Sequence, residues 1–273
     1  MDLGFHINGA SGTNQGGRLA QEDRVLLIEH PRYQGCVLGI VADGMGGTTG
    51  GRNASDQVIF TANQLFERFA PHLDDAAGFL RQIAMEAHRI IRLVALTSEL
   101  KPHSTIAAFL MTPQASCHWI HAGDSRIYQF RGGRIALKTA DHSRVQAMVA
   151  RGELNREEVA THPESNVLTS CLGTEIDPML EEQTIDKLAV GDSLLVCSDG
   201  LWHYLRDDEL CSIAQSLPPN EACRLLIEIA CRRSHGRGDN VSVILVNLGP
   251  QAAPRKRETR TTPQKTIYGG LAA

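Results

Sequence analysis

Nine short apolar runs recur along residues 1–249, each about the length of a β-strand, and several stop at an aspartate or a glycine. They are Phe5–Ala10, Val25–Glu29, Cys36–Ala42, Ser104–Met111, Cys117–His121, Arg126–Phe130, Arg134–Lys138, Ser193–Cys197 and Asn240–Leu248. Runs of this length bounded by turn residues predict strands, and Arg131-Gly132-Gly133-Arg134 predicts a hairpin turn. Two longer helical patterns lie between the third and fourth runs. One repeats Val58, Ala62, Leu65, Phe66 and Phe69; the other repeats Leu80, Ile83, Ala84, Ala87, Ile90, Ile91 and Val94. A further helix is predicted at Asn220–Arg233, with Leu226, Ile229 and Ala230 facing inward. Strands arrive in neighbouring hairpins and helices in pairs, without strict alternation. That order predicts an α+β layered fold with antiparallel sheets rather than a doubly wound parallel one.

Composition supports a proper core. Hydrophobic residues make up 42% of the 273 and charged residues 21%, too little charge for a disordered chain. Residues 1–249 contain no linker-like stretch and no internal repeat, so they are expected to form one domain. No apolar run approaches the ~18 residues of a membrane span, and Met1-Asp2-Leu3-Gly4-Phe5-His6 lacks the basic start and apolar stretch of a signal peptide. The seven cysteines are odd in number and contain no Cys-x-x-Cys pair, which fits a reducing cytoplasm better than a disulfide framework or a zinc–thiolate cluster. A net charge of −4 offers a nucleic acid nothing. That charge is unevenly spread. Residues 250–273 hold Arg255, Lys256, Arg257, Arg260 and Lys265 against Glu258, and this Pro- and Thr-rich stretch is expected to be a disordered basic tail on an acidic body.

The aspartates carry the chemistry. Asp43 closes Val37–Ala42, Asp199 follows Leu194–Ser198, Asp124 follows Trp119–Gly123, and Asp23 and Asp239 stand just before strand-like runs. One such residue is an ordinary turn residue. Five at strand ends can converge on a common edge if the strands share a sheet layer. Gathered without basic partners, carboxylates repel one another and are costly to desolvate. Hard divalent cations relieve both costs, and Mn²⁺ or Mg²⁺ prefers oxygen ligands. Two ions about 3.5–4 Å apart can bridge a water and make it a nucleophile, the chemistry of phosphate-ester hydrolysis. Glycine after Asp43 and Asp199 lets a backbone carbonyl reach an ion.

Four segments together resemble a known family. Val41-Ala42-Asp43-Gly44-Met45-Gly46-Gly47, His121-Ala122-Gly123-Asp124-Ser125-Arg126, Cys197-Ser198-Asp199-Gly200-Leu201-Trp202 and Gly238-Asp239-Asn240-Val241-Ser242-Val243 are similar, in order, to the signatures of the PPM (type 2C) metal-dependent serine/threonine protein phosphatases, bacterial branch. Arg18 with Glu22-Asp23, Asp141-His142-Ser143 and Asn166–Gly173 fit the same order, so the resemblance spans about residues 5–248. It implies a central antiparallel β-sandwich flanked by pairs of helices, four layers in αββα order, with a metal centre at one end.

The resemblance also implies roles. Asp43 would bridge two Mn²⁺ or Mg²⁺ ions, with the Gly44 carbonyl on the second; Asp199 and Asp239 would hold the first. Glu22 and Asp23 would lie around the second, and Asp124 with Asp199 would take a third, weaker ion. Arg18 would grip the substrate phosphate, and residues 143–173 would form the variable flap beside the site. The implied activity is hydrolysis of phosphoserine and phosphothreonine in proteins, opposing a cognate Ser/Thr kinase, by a chain expected to act as a monomer. Met45 stands where animal members have a histidine considered a general acid, so leaving-group protonation has no assigned side chain. His142 is expected to be structural, since no nucleophile-elbow pattern accompanies it. His6, His118 and His121 are expected to pack or hydrogen-bond within strands.

Overall fold

The computed structural model describes residues 5–47, 49–155, 158–159 and 162–250. Its first half runs β1 (Phe5–Asn14), β2 (Arg24–Glu29), β3 (Val37–Ala42), β4 (Gly44–Met45), α1 (Gly50–Phe66), α2 (Ala76–Thr97), β5 (His103–Ser104), β6 (Ile106–Met111) and β7 (Cys117–Ala122). The second runs β8 (Arg126–Arg131), β9 (Arg134–Lys138), α3 (Arg144–Ala150), β10 (Glu181–Ile185), β11 (Ser193–Cys197), α4 (Asp199–Trp202), α5 (Asp207–Ser216), α6 (Pro219–Arg233) and β12 (Val241–Pro250). Two five-stranded sheets result, ordered β1-β12-β11-β8-β9 and β10-β7-β6-β3-β2, with β4 and β5 as a separate ribbon. Every pairing is antiparallel.

The central strands are apolar on both faces because both faces are covered. On β3, Leu38, Ile40 and Ala42 pack under α1 and α2, while Val37 and Val41 face the opposing sheet. On β12, Val241, Val243 and Leu245 pack under α4 to α6, while Ile244, Val246 and Leu248 point between the sheets. Side chains alternate across a strand, so one continuous apolar run serves two cores. The four-layer α+β expectation holds.

The elements differ from the sequence reading in several details. The run Ser104–Met111 is two strands, interrupted at Thr105. β10 was not anticipated: Glu181-Glu182-Gln183-Thr184 is exposed and polar, the composition of an edge strand that needs no apolar face. Pro250, expected to open the tail, instead ends β12 opposite Phe5. The rest of the expected tail, 251–273, lies outside the described residues. Among the described residues the expected flap carries a short helix, α3, capped by the Ser143 hydroxyl, which accepts from the Gln146 N–H at 3.2 Å.

Register decides where the turns fall. The start of β2 pairs with the end of β3 (Arg24 with Ala42), and the start of β6 with the end of β7 (Ile106 with Ala122). In the other sheet the end of β11 pairs with the starts of β8 and β12, Cys197 lying between Arg126 and Val243. The three-residue turn from β7 to β8 crosses between sheets, so all these ends meet at one rim of the sandwich.

Candidate metal centre

Each predicted carboxylate sits just outside a strand at that rim. Glu22 and Asp23 precede β2, Asp43 separates β3 from β4, Asp124 lies in the β7–β8 turn, Asp199 opens α4 and Asp239 stands two residues before β12. They come from both sheets, not from the single layer expected. A cross-sheet bond ties the halves: the Ser198 hydroxyl, just after β11, donates to Asp23 Oδ2 at 2.8 Å. Gly123 makes the crossing turn with φ +116°, and a side chain there would strike Thr105.

The carboxylates hold one another in an unfavourable state. Burial, then the charges of Asp23, Asp199, Asp124 and Asp239, push Asp43 well above the usual carboxylate range. Burial, then Asp124, Asp239 and Asp23, do the same to Asp199. Asp23, 2% exposed, is raised to about 6, chiefly by burial and despite its serine donors. Asp124 also rises to about 6, through burial and then the Asp141 charge. Burial raises Glu22 too, with Arg18 opposing. Asp199 Oδ1 and Glu22 Oε1 are buried and accept no hydrogen bond. A basic group that touches a member of this set is Arg18, which pairs with Asp239 while 58% exposed at its side chain. Oxygen-only donors, crowded, buried and short of protons to accept, fit hard divalent cations.

Residues that the sequence reading left without a role orient these carboxylates. The Thr105 N–H donates to the Asp43 carbonyl at 2.8 Å, and the Asp43 N–H donates to Thr105 Oγ1 at 3.0 Å; this exchange is what breaks the predicted strand. Asn240 accepts the Glu22 N–H at 2.7 Å and donates to the carbonyls of Gln15 and Ala20 at 2.8 and 3.0 Å. It thereby fixes the loop carrying Arg18. Gly44 lies so close to Gly51 and the Glu22 carbonyl that a Cβ would collide with both. The Trp202 indole donates to the Asp124 carbonyl at 2.9 Å, and the Arg126 guanidinium stacks 3.5 Å from that ring's centroid. The only sequence signal for Asn240 and Ser198 was their place inside the motifs beside Asp239 and Asp199.

A second group of potential ligand atoms, from His121, His142 and Glu181, gathers within 4.8 Å. Its hydrogen bonds speak against a metal. His121 Nε2 lies 2.9 Å from the Ala140 carbonyl and so carries a proton. His142 Nδ1 accepts the Gly123 N–H at 3.4 Å, which puts the ring proton on Nε2, facing Glu181 at 3.6 Å. Metal-binding histidines show the opposite polarity, a bare nitrogen toward the ion and an N–H away from it. His142 is a brace, as expected: its backbone N–H also donates to the Gly123 carbonyl at 2.9 Å.

Residues 15–225 match the protein phosphatase 2C family. The chain is 31% identical over 241 residues to the serine/threonine protein phosphatase PstP of Mycobacterium tuberculosis, covering 84% of this chain but only 44% of that longer protein. It is 30% identical over 228 residues to the protein phosphatase PhpP of Streptococcus pneumoniae, covering 78% of this chain and 87% of PhpP. The crystal structure of a PstP catalytic domain in complex with two manganese ions superposes with a TM-score of 0.76 at 28% identity, covering 90% of this chain and 99% of that one.

Proposed function

The chain belongs to the protein phosphatase 2C (PPM) family of metal-dependent phosphoprotein phosphatases, and from that premise we propose that it dephosphorylates phosphoserine and phosphothreonine at a binuclear Mn²⁺ or Mg²⁺ centre. In this reading Asp43 and the Gly44 carbonyl would hold the ions together with Asp199 and Asp239. Glu22 and Asp23 would support the pair, and Asp124 with Asp199 would take a weaker third. Cations bound there would acidify a water for attack on phosphorus and offset charge on the phosphoryl group. Arg18, whose side chain is exposed, would then exchange Asp239 for the substrate phosphate and grip it through two parallel N–H donors. Ser198 and Asn240 would keep the ligand-bearing turns aligned as substrate arrives. We place the enzyme in the cytoplasm, opposite a Ser/Thr kinase. Among the described residues no helix is long and apolar enough to cross a membrane, and all seven cysteines are free.

The observation that carries this reading is the gathering of Glu22, Asp23, Asp43, Asp124, Asp199 and Asp239 at one rim, with Asp199 Oδ1 and Glu22 Oε1 buried and without a hydrogen-bond partner. The test is hydrolysis of p-nitrophenyl phosphate with Mn²⁺, with and without chelator, alongside calorimetric titration of the metal-free protein. Turnover should vanish on chelation and return with Mn²⁺, with two tight sites in the titration. Turnover that survives exhaustive chelation overturns the centre. Asp124→Asn should leave both tight sites intact and still slow turnover, isolating the third ion.

A further inference from the structure

The C-terminal root of the flap is fastened to the body at two adjacent residues. Leu172 bridges to Ser104: its N–H donates to the Ser104 carbonyl at 2.8 Å and accepts in return at its own carbonyl from the Ser104 N–H at 3.2 Å. Ser104 pairs with Gly44, and the next residue, Thr105, holds Asp43. A short path of backbone bonds therefore joins the flap to the turn carrying two proposed ligands. The next residue, Gly173, donates its N–H to Nδ1 of His88, on α2, at 3.1 Å. Gly173 has φ +92°, and a Cβ there would strike Ile91 and the Pro102 carbonyl. The turn is thus pressed onto α2 one helical turn beyond His88.

His88 is an unusual residue for its place. It is 0% exposed among Leu80, Ile83, Ala84, Ala87 and Ile91, the apolar face of α2. A buried imidazole is costly unless its polar atoms are used. Nδ1 accepts from Gly173, so Nε2 carries the ring proton; it makes no hydrogen bond and faces Asp177 Oδ1 at 3.5 Å. Burial lowers the His88 pKa, Arg92 and Arg89 lower it further, and Asp177 opposes them. The ring is held as a neutral acceptor.

We propose that His88 is a positioning residue for phosphoprotein recognition: by accepting the Gly173 N–H it keeps the flap root in register with the Asp43–Gly44 turn. The proposal rests on the phosphatase reading above and on the flap meeting the protein substrate. On that premise a phosphopeptide would meet both flap and centre, whereas a small ester would reach only the centre, so the two substrates separate the roles.

His88→Phe keeps a buried ring and removes the acceptor. It should raise KM for a phosphothreonine peptide about tenfold, the worth of one hydrogen bond left unmade by a buried N–H. The kcat for the peptide, and kcat/KM for p-nitrophenyl phosphate, should stay within about twofold. His88→Asn can place Oδ1 where Nδ1 stood and should recover most of the peptide KM. Equal losses on both substrates, no loss on either, or an Asn variant no better than Phe at the same folded fraction would each overturn the proposal. A measurement on the unaltered protein stands independent of whether the variants fold. With Mg²⁺ present, nitrogen-15 NMR should show His88 in the Nε2–H tautomer and the Gly173 amide slow to exchange; an Nδ1–H tautomer or a fast-exchanging amide sinks the idea. Failure of the phosphatase reading looks different: the unaltered protein would then hydrolyse neither substrate with Mn²⁺, while tautomer and amide would still report on the bond.

Discussion

β11 has an aspartate beyond each of its ends, and the two are treated oppositely. Asp192, before Ser193, is 1% exposed. It accepts from Arg131 Nε and Nη2, both at 2.6 Å, from Gln129 at 3.1 Å and from the Ala189 N–H at 3.0 Å. Burial alone would raise its pKa, but Arg131 and the other donors hold it below the usual carboxylate range. Asp199, at the opposite end, has an oxygen with no partner and is pushed well above that range by burial and neighbouring aspartates. The same fold can satisfy a buried carboxylate with its own donors, and at one rim it does not. A carboxylate with built-in counter-charge belongs to the structure; a crowd without it calls for a cation from solution.

The contrast breaks most sharply under mutation of the crowd. Asp43→Asn and Asp199→Asn should each lower turnover by orders of magnitude at limiting Mn²⁺. The metal-free variants should melt no earlier than the parent, because one mutually repelled charge is gone. Near-normal turnover in both would place these residues with Asp192 as structural. Arg18→Ala comes next. Loss of charge-assisted hydrogen bonds of about 1.5–3 kcal/mol should cut kcat/KM for a phosphothreonine peptide by roughly 10- to 150-fold, with KM taking the larger share. Arg18→Lys should recover part of this, since an ammonium lacks the forked geometry. An unaltered kcat/KM in Arg18→Ala would leave the side chain as a surface charge that happens to meet Asp239.

Asp192→Ala should behave in the reverse way. It strands the Ala189 N–H and the Gln129 amide, at a cost of about 1–3 kcal/mol, visible as a lower Tm with kcat per folded molecule unchanged. A loss of Mn²⁺-dependent turnover at full folding would erase the distinction between the two ends. The gentlest test is pH. In the metal-free fold Asp23 and Asp124 titrate near 6, above their ordinary ~4. The fold then keeps protons that the unfolded chain has already released. Stability in chelator should therefore fall as pH climbs from about 4 to 6, and further for Asp43 and Asp199, which lie higher. Mn²⁺ should remove the fall by taking the place of the protons. Equal Tm values at pH 5 and 7.5 in chelator would mean that the rim is as well paired as Asp192.

The pairing of Asp192 was invisible in the sequence, although Arg131 and Asp192 are both plain to read. Nothing local links residues 61 positions apart; only the β8–β11 register, with Phe130 opposite Ser193, brings them together. β10 escaped notice for a related reason. As an edge strand against β7 it needs backbone partners more than an apolar pattern. α5 is short, and its inward residues Leu210, Cys211 and Ala214 make too brief a period to stand out from a loop. His88 looked like any polar position within an amphipathic helix, because its partner Gly173 lies beyond five intervening strands and the flap.

Local chemistry was enough to mark where strands stop, which helices are amphipathic and which aspartates stand at strand ends, since each of these depends on neighbouring residues and on a period of 2 or 3.6. It was also enough to identify the ordered motifs around Asp43, Asp124, Asp199 and Asp239. The tertiary structure alone decided that those ends share one rim across two sheets, that Thr105 and Asn240 hold the turns carrying Asp43 and Glu22, and that Asp192 is neutralised while Asp199 is not. Strand order and register are agreements between distant segments, and the field at a buried carboxylate is the sum over whatever those agreements bring near.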